Sequence, residues 1–385
     1  MSHMSTLDIL SRLVAFDTVS ARTNLALIDW VAEYLQQLGF RIERVPGEDG
    51  KKANLVATIG PEAQPGYILS GHTDVVPVED QVWSADPFRL RREDGRLYGR
   101  GTTDMKGFLA VCLARAQAMS QARLKRPLHL AFSHDEEVGC VGVRRLLQHL
   151  KTTGRAFAGC FVGEPTGMDV VIGHKGKSNT RVTVQGLACH SSLAPDGVNA
   201  VEYAAAFVGA VRNLGQRLRD YGRRDAMFDV PYTTAHVGVL HGGTALNVVP
   251  ESAELLFELR TVPGDDANEL LAGLRDHASL VLEPAMKALH PAAGFRFDTY
   301  AQSPALDNAP DAEIVTLART LSGRNSHRKV AFMTEAGLFQ KAGIPAVVVG
   351  PGSIAQAHTA DEWIAESELA QCEAFVDRLI KLCQR

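Results

Sequence analysis

The stretch LHLAFSHDEE, residues 128–137, runs from a largely apolar segment straight into three adjacent carboxylates. Its first half is short, apolar and suited to a buried strand. Its second half concentrates negative charge beside the core. Either a solvated loop or a cationic partner accommodates such charge, and the rest of the chain has to decide between them.

Segments of the same kind recur on both sides of it. NLVATI (54–59), YILSG (67–71), GCFVG (159–163) and AVVVG (346–350) read as short apolar strands. Apolar positions at helical spacing fall at 5–19, 24–38, 105–120, 142–150, 311–322, 335–343 and 365–382. Short apolar strands alternating with helices predict an α/β fold, a mostly parallel sheet covered on both faces as three α/β/α layers. The pattern changes near 177. KSNTRVTVQG (177–186) alternates in character as a half-exposed strand does. A long helix near 198–219, strands at 234–243 and 252–262 and a helix at 265–278 follow. This order predicts a small α+β domain. The expected organisation is therefore a discontinuous larger domain, 1–177 with 291–385, interrupted by an inserted domain at 178–290.

Bulk properties exclude several classes. A chain of 385 residues is long for a single core and fits two domains. Forty basic against 44 acidic residues, with no long basic run, argue against a nucleic-acid partner. MSHMSTLDIL shows no basic stretch leading into an apolar segment, and no run approaches 18 apolar residues, so no membrane partner is expected. The six cysteines form no CxxC pair, which suits reduced thiols in a cytoplasmic protein.

Polar clusters sit at the ends of the predicted core strands: His72-Thr73-Asp74, Glu136-Glu137, Glu164 in GEPTG and His358 in AQAHTADE. Asp104, in GRGTTDMKG, precedes a helix. Strand carboxyl ends converge on the ligand crevice of an open parallel sheet, so groups distant in sequence can meet there. Imidazole and carboxylate donors suit zinc, cobalt or manganese. Two histidines and several carboxylates can hold two such ions with Asp104 as a bridge. One of Glu136 and Glu137 would then bind metal while the other faces the attacking water. Taken singly, each piece has an ordinary reading. Asp104 can cap a helix, GEPTG can be a turn, Glu136-Glu137 a solvated loop and His358 a local hydrogen-bonding residue.

With its motifs assembled, the chain resembles the zinc-dependent aminoacylase, carboxypeptidase and acetylornithine deacetylase family. The resemblance rests on SGHTDVVPVEDQVWSADPF (70–88), LYGRGTTDMKGFLA (97–110), SHDEEVG (133–139), GEPT (163–166), GLACHSSLAPDGVNA (186–200), GGTALNVVPESAELLFELR (242–260) and PGSIAQAHTADEWI (351–364). Within it, GEPT, MTEAGLFQ (333–340) and GPGSIAQAHTADE (350–362) resemble the acetylornithine-deacetylase branch. The desuccinylase branch has an SGGTSD-like segment where this chain has FMTEAG.

The resemblance implies two Zn²⁺ ions per subunit, with Co²⁺ as a substitute. By it, His72 and Glu164 bind one ion, Glu137 and His358 bind the other, and Asp104 bridges them. Glu136 is the general base, and Asp74 orients His72. A cis peptide follows Asp104. The inserted domain is a ferredoxin-like lid and dimerisation domain, so the chain is expected to be a homodimer. Its His190 reaches the partner subunit's site to support an oxyanion. The family pattern before that histidine is glycine, and Cys189 departs from it. Asn247 and Arg260 contact the polar end or carboxylate of a small-molecule N-acyl amino acid. Gly350 and Gly352 let the backbone run close to substrate. Ordinary alternatives are a helix cap near Ser191 or Ser192 for His190 and a surface charge at a strand end for Arg260. The implied reaction is hydrolysis of an N2-acyl amide, with aminoacylase and desuccinylase activities as alternatives.

Overall fold

Leu128–Ser133 is a strand in which every residue is buried. It lies parallel to Gly66–His72, with His72 opposite Ser133, so both strands end at the same level. Gly66–His72 is in turn parallel to Phe157–Val162, and Phe157–Val162 to Ala346–Val348. The computed structural model describes residues 4–385.

These four strands form the parallel centre of a nine-stranded sheet. Ala53–Ile59 and Arg41–Pro46 extend one side and Val170–His174 the other, all by antiparallel pairing. Parallel pairing is thus confined to the centre, and the sheet as a whole is mixed. Its alternating side chains divide between two faces, as strand geometry requires. Leu55, Tyr67, Leu69, Leu128, Leu130, Phe132 and Phe161 join one core with the helices Thr6–Val14, Leu25–Gln37, Gly107–Ala114 and Glu366–Cys383. Gly107–Ala114 is apolar on every side and wholly buried, as a central covering helix should be. Val141–Thr152 and Ala336–Lys341 cover the opposite face, which completes the three layers.

The chain divides into two compact units. One runs to Gly173 and resumes at Leu306–Lys329 and Thr334–Arg385; the other is His174–Ala305 with Val330–Met333. The second unit holds a four-stranded antiparallel sheet in the order Thr234–Gly242, Ser252–Thr261, Gly176–Gln185, Gly294–Ser303. With the helices Ala200–Tyr221 and Ala267–His277 it has the strand-helix-strand-strand-helix-strand order of a ferredoxin-like domain. An insertion ending at 290 would omit Gly294–Ser303, which pairs with Gly176–Gln185 over most of its length. That strand also delivers Phe295 and Phe297 to the ring of Phe207, and so completes the small core. No helix among the described residues is long and apolar enough to cross a membrane.

Candidate metal centre

The carboxyl ends of the parallel strands deliver the donors. His72 is the last residue of its strand, Glu136 and Glu137 follow Ser133 closely, and Glu164 stands two residues beyond Val162. Asp104 lies in the π-helical turn Thr102–Lys106, and the Asp104–Met105 peptide is cis. It is therefore not a helix cap.

Asp104 has one carboxylate oxygen toward each imidazole. Its Oδ1 is 3.0 Å from His72 Nε2, and its Oδ2 is 3.2 Å from His358 Nε2. Glu164 lies on the His72 side, with Oε1 3.7 Å from Nε2. Glu137 lies on the His358 side, with Oε2 3.1 Å from Nε2. Two donor groups share His72: His72 with Glu136 and Glu164, and His72 with Asp104 and Glu137, each within 4.8 Å. His72 is buried, whereas the His358 side chain is 50 % exposed on a loop with φ 61°.

Electrostatics mark this as a place for cations. Burial pushes Glu136 well above the usual carboxylate range against the pull of His72, and Glu137, Glu335 and Asp104 push the same way as burial. Burial also raises Glu164, again reinforced by Asp104. Glu137 rises to about 7 through burial and Asp104, against the hydrogen bond from His358. Burial acts on Asp104 in the same sense, yet hydrogen bonds from His358 and His72 outweigh it and hold that carboxyl far down. Asp104 and Glu137 in turn lift His358 to about 10. Among the described residues no lysine or arginine pairs with any of these four carboxylates. Two imidazoles and four clustered carboxylates are a donor set that divalent ions fit.

Asp74 meets His72 Nδ1 through its main chain. His72 Nδ1 sits 2.9 Å from the main-chain carbonyl of Asp74, while the Asp74 carboxylate is 3.6 Å away. That carboxylate instead accepts hydrogen bonds from Ser20 Oγ at 2.7 Å, Glu136 N at 3.1 Å and Glu137 N at 3.3 Å. Its anchoring partner is the Glu136-Glu137 backbone. Glu136 also accepts from Cys140 Sγ at 3.4 Å.

Gly350 and Gly352 run close to the protein itself. A Cβ at Gly350 would collide with the Gly163 carbonyl beside Glu164, and one at Gly352, where φ is +86°, with Thr103 Oγ1 beside Asp104. Their smallness seats the ligand loops. His190, Asn247 and Arg260 belong to the second unit. His190 caps the turn Ser191–Asp196, its Nδ1 accepting from Ser192 N at 3.2 Å. A β-bridge to Val248 and the Ser191 N to Asn247 O bond of 3.0 Å bring His190 and Asn247 together. Arg260 donates through Nε to Glu258 at 2.7 Å, so it is paired rather than a lone surface charge.

Two buried carboxylates were not singled out from sequence. Glu335 accepts from Ser133 Oγ at 2.5 Å, and burial raises it to about 7. Glu362 accepts from the backbone around Asp104. Both lie inside the quoted motifs MTEAGLFQ and AQAHTADE, but a glutamate in a loop gives no local sign that it is buried.

Comparison with known proteins agrees with this geometry. The model of Peptidase family M20/M25/M40 matches residues 68–382. Acetylornithine deacetylase of Pasteurella multocida (strain Pm70) is 33% identical over 389 residues, covering 98% of this chain and 97% of that protein. An M20-family metallo-carboxypeptidase from Sulfolobus solfataricus has a similar structure, with TM-score 0.77, 18% identity and 99% of each chain covered. A tripeptidase from Staphylococcus aureus gives TM-score 0.74 and 19% identity over 100% of this chain and 99% of that one. These structural likenesses are of fold. Since the family match spans the strand ends, turn and loop that carry His72, Asp104, Glu137, Glu164 and His358, the chain belongs to Peptidase family M20/M25/M40 as a metallohydrolase of amide or peptide bonds.

Proposed function

We propose that the protein hydrolyses N2-acetyl-L-ornithine to L-ornithine and acetate, a step of arginine biosynthesis, as a cytoplasmic homodimer with two Zn²⁺ per subunit that Co²⁺ can replace. The observation behind the chemistry is Asp104, whose two oxygens each face one imidazole. Behind the substrate stands the 33% identity to an acetylornithine deacetylase.

His72, Glu164 and one Asp104 oxygen would hold one ion; His358, Glu137 and the other oxygen would hold the second. Ions bound there supply Lewis acidity, which acidifies water and polarises the amide carbonyl. Glu136 takes the proton of the attacking water as the C–O bond forms. It returns that proton to the departing nitrogen as the C–N bond breaks. Asp74 steadies this base through the Glu136 and Glu137 amides.

His190 is proposed to serve the partner subunit's site. Because Nδ1 accepts from Ser192 N, the neutral ring carries its proton on Nε2. That tautomer can donate to an oxyanion where charge develops. Asn247 and Arg260 are proposed to contact the substrate's polar end, the Arg260 guanidinium suiting a carboxylate.

The test compares N2-acetyl-L-ornithine with N-acetyl-methionine and N-succinyl-diaminopimelate on metal-loaded protein. The highest kcat/KM is expected for acetylornithine. A higher value for either of the others would refute the substrate assignment and leave an aminoacylase or a desuccinylase.

A further inference from the structure

Glu362 stands four residues after His358, and its side chain is only 1 % exposed. Oε1 accepts from Thr103 N at 2.9 Å and Asp104 N at 3.1 Å. Oε2 accepts from Gly101 N at 2.9 Å and Arg100 Nη1 at 2.9 Å. Each oxygen thus meets two donors, which accounts for about four lone-pair positions on the carboxylate. Three of these donors are main-chain amides of the turn that carries Asp104.

The same residues reach the His358 loop. Arg100 Nη1 donates to Thr359 O at 3.2 Å, and Nη2 donates to Pro77 O at 3.2 Å and to Gln81 Oε1 at 2.5 Å. Gln81 Nε2 then donates to the carbonyl of His358 itself at 2.8 Å. The Trp83 ring lies over the guanidinium, 4.9 Å from its carbon. His358 needs such support. It has a positive φ that a residue with a side chain seldom adopts, and its imidazole is half-exposed.

We infer that Glu362, acting with Arg100 and Gln81, is a positioning residue that sets the distance between Asp104 and His358 and so builds the second ion's site. The inference rests on the two-ion reading of the centre. Glu362 reaches the chemistry only through other groups. Its effect should fall on the His358 side, because His72 is independently fixed at a strand end and by the Asp74 carbonyl.

Glutamine at 362 would turn an NH₂ toward two donors whichever way it sits. Glu362→Asp keeps the charge beside Arg100 but falls short of the turn. Both variants, full-length and stripped of metal, are titrated with Co²⁺ and followed by calorimetry and visible absorption, with melting temperature as the check on folding. Wild type is expected to take two ions. The variants are expected to bind the first like wild type and the second about 10–100-fold more weakly, with altered cobalt bands. Their kcat should fall while KM holds. If Glu362→Gln does not fold, Glu362→Asp gives the answer. Wild-type affinity and spectrum for both ions, even with a lowered melting temperature, would overturn the inference. Asp104→Asn separates the two levels. If it loses the second ion while the Glu362 variants keep it, the centre stands and the clamp falls. If Asp104→Asn binds both ions like wild type, the two-ion reading fails and the clamp with it.

Discussion

Asp74→Ala separates two roles that a buried carboxylate next to His72 could have. In this structure the carboxylate accepts two short hydrogen bonds, from Ser20 Oγ and Glu136 N, and a longer one from Glu137 N. A hydrogen bond to a charged group contributes about 1.5–3 kcal/mol. Two such bonds come to at least about 3 kcal/mol, the long third bond adding little. Water entering the space left by the side chain would recover part of any larger figure. If the loss falls on the placement of Glu136, about 3 kcal/mol corresponds to a roughly 100-fold drop in kcat. The main-chain carbonyl that meets His72 Nδ1 survives in alanine, so two ions should still bind, and KM should hold because substrate contacts are untouched. Steady-state kinetics on N2-acetyl-L-ornithine and metal analysis of the same sample provide the check. Loss of the ion beside His72, with undiminished kcat in whatever protein retains both ions, would refute the reasoning. The carboxylate would then act through the imidazole.

Glu136→Gln keeps the shape of the base and removes its basicity; kcat is expected to fall about 10²–10⁴-fold with both ions retained, and unchanged turnover would remove Glu136 from the mechanism. Gly350→Ala drives a methyl group into the Gly163 carbonyl, so it should lower stability by about 1–3 kcal/mol and loosen the ion beside Glu164, as calorimetric titration and urea unfolding would report. His129 is held neutral down to about 4 by burial, aided by Arg155 and Arg41. The unfolded chain therefore takes up a proton between about pH 6.5 and 4 that the folded chain refuses, and stability falls as pH falls through that window. His129→Gln should lose about 2–3 kcal/mol less than wild type between pH 7 and 4.5 in urea midpoints, and parallel losses would show that His129 does not titrate this way.

The strand ends were legible in sequence because they juxtapose two opposite signals. LHLAFS is a short, largely apolar run that suits a buried strand, and the charge after it marks where that strand leaves the core. The structure begins and ends that strand at Leu128 and Ser133. His72, Glu137 and Glu164 follow from the same logic, and Asp104 in the turn Thr102–Lys106 and His358 on a loop beyond Ala346–Val348 meet them at those strand ends. The antiparallel flanks were not legible, since an apolar strand buried on both faces reads alike in either direction; Ala53–Ile59 is such a case. Gly294–Ser303 alternates much as Gly176–Gln185 does, but its membership in the small sheet was not legible because that partner lies more than a hundred positions earlier. The anchoring roles of Asp74 and Glu362 escaped for another reason. They are made with backbone amides, and a backbone amide leaves no trace in residue identity.

Anomalous diffraction from crystals of the zinc-loaded protein examines the bridging role of Asp104 most directly. Two peaks about 3.5–4 Å apart are expected, one beside His72 and Glu164 and the other beside His358 and Glu137, with the Asp104 carboxylate between them. A single peak, or a pair that Asp104 does not join, would contradict the two-ion centre.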